Sequence, residues 1–170
     1  MEIKNYKKRH SVSYSMDYEI SIEKMWELIS TPGHLNYCHP FCKSNEIINW
    51  KQSNYRDELI YLNGLKYIRN FINWDPNKGY DLLIGKNGGP QSYVVWELTK
   101  HSELKCSLKI TVFPYLFTKG GRILSYIPFF VYVKPRLKKY LYTVLSGFNY
   151  YIKHEKDVPR NHFGKHPWFS

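Results

Sequence analysis

Arg69 carries the greatest chemical leverage in this sequence, because it stands inside the run GLKYIRNFINWDP between Tyr67 and Phe71. If those two rings face an interior, the two-residue period of a strand turns Arg69 the same way. A guanidinium removed from water then needs an anion or several acceptors, since an unpaired buried charge is very costly. Three placements stay open: an internal ion pair with Glu58 or Glu97, a grip on a ligand carboxylate or phosphate through the forked donors, or the opposite register with the guanidinium in water. Tyr61, Tyr67, Tyr93 and Trp96 lie on neighbouring strand-like segments. Their apolar faces and polar tips suit a pocket wall that orients a ligand, with plain core packing as the other use. Tyr93 and Trp96 are three apart on one strand, so without a bulge only one of them faces in. Were the chain an enzyme, Arg69, Tyr61, Glu58 and Glu97 would be the set supplying a proton donor or acceptor.

Other chemistries find little support. His34, Cys38 and Cys42 recur every four residues beside His39, but Pro40 breaks the helix that would align them, and the short Cys-x-x-Cys spacing of zinc sites is missing. His162 and His166 sit in a tract punctuated by Pro159, Gly164 and Pro167, without the carboxylate that a His-Glu-x-x-His motif supplies. Asp57 and Glu58 are adjacent on a strand and point to opposite faces, which spoils them as paired carboxylates. No Gly-x-Ser-x-Gly, phosphate-binding loop or dinucleotide fingerprint occurs. The expectation is no metal and no cofactor.

Hydrophobic periods outline the scaffold that must hold these residues. Ser11 to Ile20, SVSYSMDYEI, alternates without a slip and reads as a strand with one buried face. Ser21 stands at a helix N-cap, Glu23 adds negative charge to the first turn, and Ile22, Met25, Trp26 and Ile29 form a helical stripe ending near Thr31. Pro32 starts one or two further helical turns through His34 and Leu35. Strand-like segments follow at about residues 45–50, 55–62, 65–74, 80–84, 91–99 and 103–112, separated by turn signals such as Asn63-Gly64 and Asp75-Pro76-Asn77-Lys78-Gly79. Such short turns imply an antiparallel meander, because parallel pairing needs crossovers of about a dozen residues. From about 134 to 155, Leu137, Leu141, Val144, Leu145, Phe148, Tyr151 and Ile152 recur at steps of three and four, the pattern of a long amphipathic helix. Such a helix buried on a curved sheet readily leaves a hollow between the two.

With 170 residues, the chain is expected to form one domain over 1–170, with an apolar aromatic linker at 114–133 and a tail at 157–170. Its 16 Tyr against 3 Cys point to rings rather than disulfides as organisers of the interior, and to a reducing compartment. The basic opening MEIKNYKKRH leads into no apolar segment, so cytoplasmic residence is the expectation. The linker run ILSYIPFFVYV is about half of what a bilayer crossing requires, and Pro128 divides it. The same aromatics beside Arg122, Lys134, Arg136, Lys138 and Lys139 suit either contact with an anionic membrane surface or a lid over a pocket mouth. A net charge of +11 favours acidic partners, yet the Lys and Arg residues are dispersed and no zinc-finger or helix-turn-helix spacing is present. Nucleic acid is therefore not an expected partner.

A strand, two short helices, six antiparallel strands and a long closing helix follow in the order of the helix-grip fold, an α+β architecture. The chain resembles the superfamily of START domains, birch-pollen-allergen proteins, polyketide cyclases and aromatases, and coenzyme Q-binding proteins. YSMDYEISIEKMWELISTPGHL is similar to that family's opening strand and helix, and GLKYIRNFINWDP to its central strand leading into a turn. Gly89-Pro90 followed by Val94, Trp96 and Leu98 is similar to a segment with a Gly-Pro turn in bacterial relatives. Where those relatives often present histidines, this sequence holds Trp96 and Leu98, a departure that bears on catalysis more than on binding. The resemblance covers about residues 10–113 and 134–155. It implies a seven-stranded antiparallel curved sheet wrapped around the C-terminal helix, with a cavity between them for a lipid, isoprenoid, polyketide-like or other apolar or amphipathic small molecule. It also implies that Leu141, Leu145 and Phe148 lie over that cavity, which makes them ligand-binding candidates beside Tyr61, Tyr67, Arg69, Phe71, Tyr93 and Trp96. Binding or transport is the function it implies first. A cyclase, dehydratase or aromatase acting on a polyketide-like substrate, and a membrane-peripheral or protein-interaction adaptor, are the alternatives.

Overall fold

The computed structural model describes residues 3–51, 54–116 and 126–170. Seven antiparallel strands form one sheet: β1 (Val12–Tyr18), β2 (Cys42–Lys51), β3 (Asn54–Tyr61), β4 (Lys66–Asp75), β5 (Gly79–Gly85), β6 (Gln91–Ser102) and β7 (Lys105–Phe113). Their spatial order is β1-β7-β6-β5-β4-β3-β2, so the six later strands form a meander and β1 joins its far edge beside β7. Short helices α1 (Ile3–Lys7), α2 (Ile22–Ser30) and α3 (Leu35–Cys38) accompany it, and the long α4 (Lys134–His154) grips its concave side. This is the helix-grip arrangement expected from the order of elements.

Local chemistry accounts for the elements. Ser21 caps α2 by accepting the Lys24 backbone N–H at 3.3 Å, and Ile22, Met25 and Ile29 are buried on its inner stripe. On β1 and β7 the alternating apolar residues pair across the ladder, with Tyr14 opposite Ile110 and Met16 opposite Leu108. α1, with only Tyr6 buried, carried no periodic signal long enough to read. Within the expected 114–133 linker, residues 126–133 continue the final helix instead: a helical turn at Tyr126–Pro128 runs through a π-helical turn at Phe129–Val133 into α4. Pro128 is tolerated because the first turn of the run leaves its N–H without an intrahelical partner anyway, and Pro135 directly follows the π-helical turn, where the Lys134 N–H donates to Phe129 O and the i→i−4 ladder is already displaced. Residues 117–125 of that linker, Phe117, Lys119, Gly120, Gly121 and Arg122 among them, lie outside the described residues.

Of the stripe read from the sequence, α4 buries Leu137, Leu141, Val144, Leu145 and Phe148, while Tyr151 and Ile152 at its end are half-buried against the core. It is tied to the sheet by Tyr18, whose Oη donates to the Leu145 carbonyl at 2.9 Å. Against α3 it approaches so closely that a Cβ on Gly147 would come within 2.1 Å of the Cys38 carbonyl oxygen. The tail folds back over the opening between α4 and the β3–β4 turn. Val158 N–H donates to Tyr37 O and Asn161 N–H to Pro40 O, and Asn63 Nδ2 donates to Trp168 O.

The Gly147 contact is with backbone, which cannot swing aside. Gly147→Ala is expected to cost about 1–3 kcal/mol in spite of its better helix propensity, and so to lower Tm by several degrees. A thermal melt showing an unchanged or raised Tm would disprove the tight α3–α4 crossing.

Candidate ligand-binding site

α4 leaves the sheet over its middle strands, and the gap is a cavity with about 860 Å³ of empty space, its open mouth included. The period-two faces of β3 to β7 supply its floor: Leu59 and Tyr61, Tyr67 and Arg69, Leu82 and Ile84, Val94 and Trp96, Ile110 and Val112. Leu137, Tyr140, Leu141 and Val144 of α4 roof it, and Trp168 and Phe169 of the tail close one side. The wall is mostly apolar, interrupted by a few hydroxyls, one imidazole and one guanidinium.

Arg69 faces in and is 2% exposed. Its Nε donates to Asp57 Oδ1 at 2.7 Å and its Nη2 to Asp57 Oδ2 at 2.5 Å, a bidentate pair with a carboxylate that is itself 0% exposed. Nη2 also reaches Asn45 Oδ1 at 3.4 Å. The partner is thus Asp57, and neither Glu58 nor Glu97. A hairpin turning at Leu62–Gly64 sets Asp57 directly opposite Arg69, while Glu58 turns to the other face of the sheet. Glu97 stands on the outer face of β6, 3.1 Å from Lys109. Burial works against the guanidinium's charge, but the Asp57 carboxylate more than offsets it and holds the Arg69 pKa above its ordinary value. The acid–base set of Arg69, Tyr61, Glu58 and Glu97 is therefore not gathered around the cavity.

A second polar group lies on the same wall. His39 Nε2 is 2.9 Å from Tyr140 Oη, and Tyr140 Oη is 3.1 Å from Tyr61 Oη. Burial, with Arg69 nearby, pushes the His39 pKa down to about 3, so the ring is neutral. Burial pushes both phenols above their ordinary range, and raises the neighbouring Cys42 thiol to about 12. Tyr67 Oη lies 3.3 Å from Tyr115 Oη, and both rings line the cavity.

Of the candidates from sequence, Tyr61, Tyr67, Arg69, Trp96 and Leu141 meet in the cavity wall. Phe71 lies farther along β4 in an aromatic cluster with Trp50, Trp74 and Tyr80. Tyr93 faces the opposite side of the sheet, where it donates to Asp81 and meets Tyr6 of α1. With Tyr93 out, its strand neighbour Trp96 is the ring that faces in. Leu145 directly follows the last roof residue, Val144, and Phe148 lies one turn beyond it; both are in the packed core, Phe148 against Trp96 and His34. Sequence reasoning missed Tyr140, His39, Trp168 and Phe169 as wall residues. Tyr140 had a readable signal, three residues after Leu137 and four before Val144 on the buried stripe; the tail residues had none.

No family model and no curated protein matches this sequence. Solved structures do match its shape. A START superfamily protein from Mycobacterium smegmatis superposes with a TM-score of 0.68 at 11% identity, over 86% of this chain and 99% of that one. The chain has the START-like helix-grip fold. TTHA0849 from Thermus thermophilus gives a TM-score of 0.65 at 14% identity, again over 86% and 99% of the two chains. DynU16, a putative protein in the dynemicin biosynthetic locus, gives 0.62 at 14% identity over 86% of this chain, which spans about half of DynU16, 48%. At these identities the START-like likeness is one of fold.

The buried ion pair gives a test of the site's architecture. Asp57→Ala is expected to destabilise the protein by about 3–5 kcal/mol by stranding the guanidinium, whereas Asp57→Leu with Arg69→Met should cost far less. Urea denaturation that ranks the double variant below the single one would show that the pair is not closed as described.

Proposed function

We propose that this chain, acting as one cytoplasmic domain, binds or carries an apolar or amphipathic small molecule in the cavity between the sheet and α4. The observation that carries this reading is a wall apolar on the sheet, helix and tail sides whose buried cation is already neutralised by Asp57. A guest there gains about 25 cal/mol for each Å² of apolar surface removed from water, while the tyrosine hydroxyls set its orientation. The START-like fold shared with the Mycobacterium smegmatis protein supports small-molecule binding at the level of fold. Leu141, 2% exposed and in the roof, is the position at which to fill the space. Leu141→Trp is expected to weaken binding of the apolar fluorophore 1-aminoanthracene at least fivefold, and Leu104→Trp, on an exposed turn, to leave it unchanged. Equal affinity in a folded Leu141→Trp variant would remove the cavity from the reading.

One feature favours membrane contact as a second reading. Tyr126, Ile127, Val131 and Tyr132 are 54%, 72%, 72% and 46% exposed on the helical turns leading into α4, an apolar surface next to the roof of the cavity. Lys134 sits over the Phe130 ring and Arg136 over the Tyr132 ring, so cations border the patch. Apolar insertion flanked by cations is the chemistry of attachment to anionic headgroups. No helix among the described residues is long and apolar enough to cross a membrane. Flotation with phosphatidylserine-containing vesicles at low salt is expected for the native sequence and not for Ile127→Asp with Val131→Asp. Native protein that stays at the bottom of the gradient would end this reading.

A further inference from the structure

Three polar groups in the cavity wall carry one more hydrogen than they can use among themselves. His39 Nδ1 accepts the backbone N–H of Phe41 at 3.1 Å, which leaves the ring proton on Nε2. That proton is donated to Tyr140 Oη, 2.9 Å away. Tyr140 and Tyr61 are joined by a single further hydrogen bond, 3.1 Å between their oxygens. One N–H and two O–H groups therefore serve two contacts. Whichever tyrosine donates to the other, one phenolic hydrogen is left over, and among the described residues neither hydroxyl has another acceptor in reach. Tyr61 is 2% exposed, and the side chains of both tyrosines line the cavity. A buried donor without an acceptor is costly, so the hydrogen calls for an oxygen in the cavity. Burial also keeps both phenols protonated across the physiological range, so the hydrogen is not lost by ionisation.

We infer that this surplus hydrogen is a fixed donor to the ligand, and that the cavity selects apolar molecules bearing a neutral oxygen acceptor, such as a ketone or quinone carbonyl, over hydrocarbons of the same shape. The inference rests on the ligand-binding reading and names the class of ligand for it. Neutrality follows from the rest of the wall: the charge of Arg69 is matched by Asp57 and His39 is uncharged, so a carboxylate would enter without a free counter-charge among the described residues. The donor is held in place from behind, because the Phe41 N–H fixes the tautomer of His39 and His39 in turn orients Tyr140.

1-Tetralone and tetralin share a bicyclic skeleton and differ by one carbonyl oxygen, which makes them suitable probes. The carbonyl stretch of 1-tetralone bound to the native protein is expected at lower wavenumber than in hexane; a band at the hexane position overturns the inference with no variant needed. In displacement of 1-aminoanthracene, the ratio of the tetralin Kd to the tetralone Kd is expected to fall about three- to tenfold in the Tyr61→Phe, Tyr140→Phe double variant. A ratio constant within twofold overturns the inference while leaving apolar binding intact. If neither compound nor the dye binds the native protein, the ligand-binding reading fails and takes the inference with it.

Discussion

A straight helix and a curved sheet cannot stay in contact along their whole length, and the rest of this molecule is arranged around that mismatch. α4 has 21 residues, about 30 Å of rod. The curvature has local causes in register shifts on β2 between Cys42 and Ser44 and between Ile47 and Asn49, on β4 between Phe71 and Asn73, and on β6 between Lys100 and Ser102. Each such irregularity inserts extra backbone on one strand and bends it away from flatness. Where the sheet stays close, at β1, Tyr18 hydrogen-bonds the helix backbone and the apolar stripe joins the packed core. Over β3 to β6 the floor drops away and the cavity opens.

A hollow of this kind exposes any polar wall residue to the low-dielectric penalty that burial imposes. Arg69 is compensated inside the wall by two charge-assisted bonds to Asp57, so it contributes shape and rigidity more than net charge. His39 meets the same penalty by remaining neutral, with both ring nitrogens engaged. The consequence is a cavity that is electrically quiet and directional: its lining offers hydroxyls at set positions in an otherwise apolar space.

Much of the architecture was legible because strands and helices impose different periods. The unbroken alternation in SVSYSMDYEI and the three–four spacing from Leu137 to Phe148 each admit one reading, and the structure has those elements at nearly those bounds. Facing directions were harder. Tyr93 and Trp96 could not both point inward, and only the pairing of Trp96 with Tyr80 and Ile110 across neighbouring strands decides between them. The partner of Arg69 was within reach of the sequence, since a hairpin closing at Leu62–Gly64 sets residue 57 across from residue 69, but it required committing to a register rather than to a charge of the right sign nearby. The closing role of Trp168 and Phe169 had no sequence signal. An irregular segment carries no period, and its docking depends on a surface that exists only once α4 and the β3–β4 turn have met.

That surface shows where the parts of the molecule converge. Between Cys38 and Phe41, consecutive residues each hold a different piece in place. The Cys38 carbonyl sets how near α4 can come at Gly147, and His39 orients Tyr140 in the cavity roof. The Pro40 carbonyl accepts Asn161 of the tail, and the Phe41 N–H fixes the His39 tautomer. The tail so anchored stacks Phe169 on Tyr61 with ring centres 4.4 Å apart, completing the wall beside the same hydroxyl that His39 reaches through Tyr140. Helix seating, cavity polarity and cavity closure therefore share one short turn of backbone. Shifting it by a fraction of a hydrogen-bond length would alter all three together, because packed interiors transmit displacement rather than absorb it.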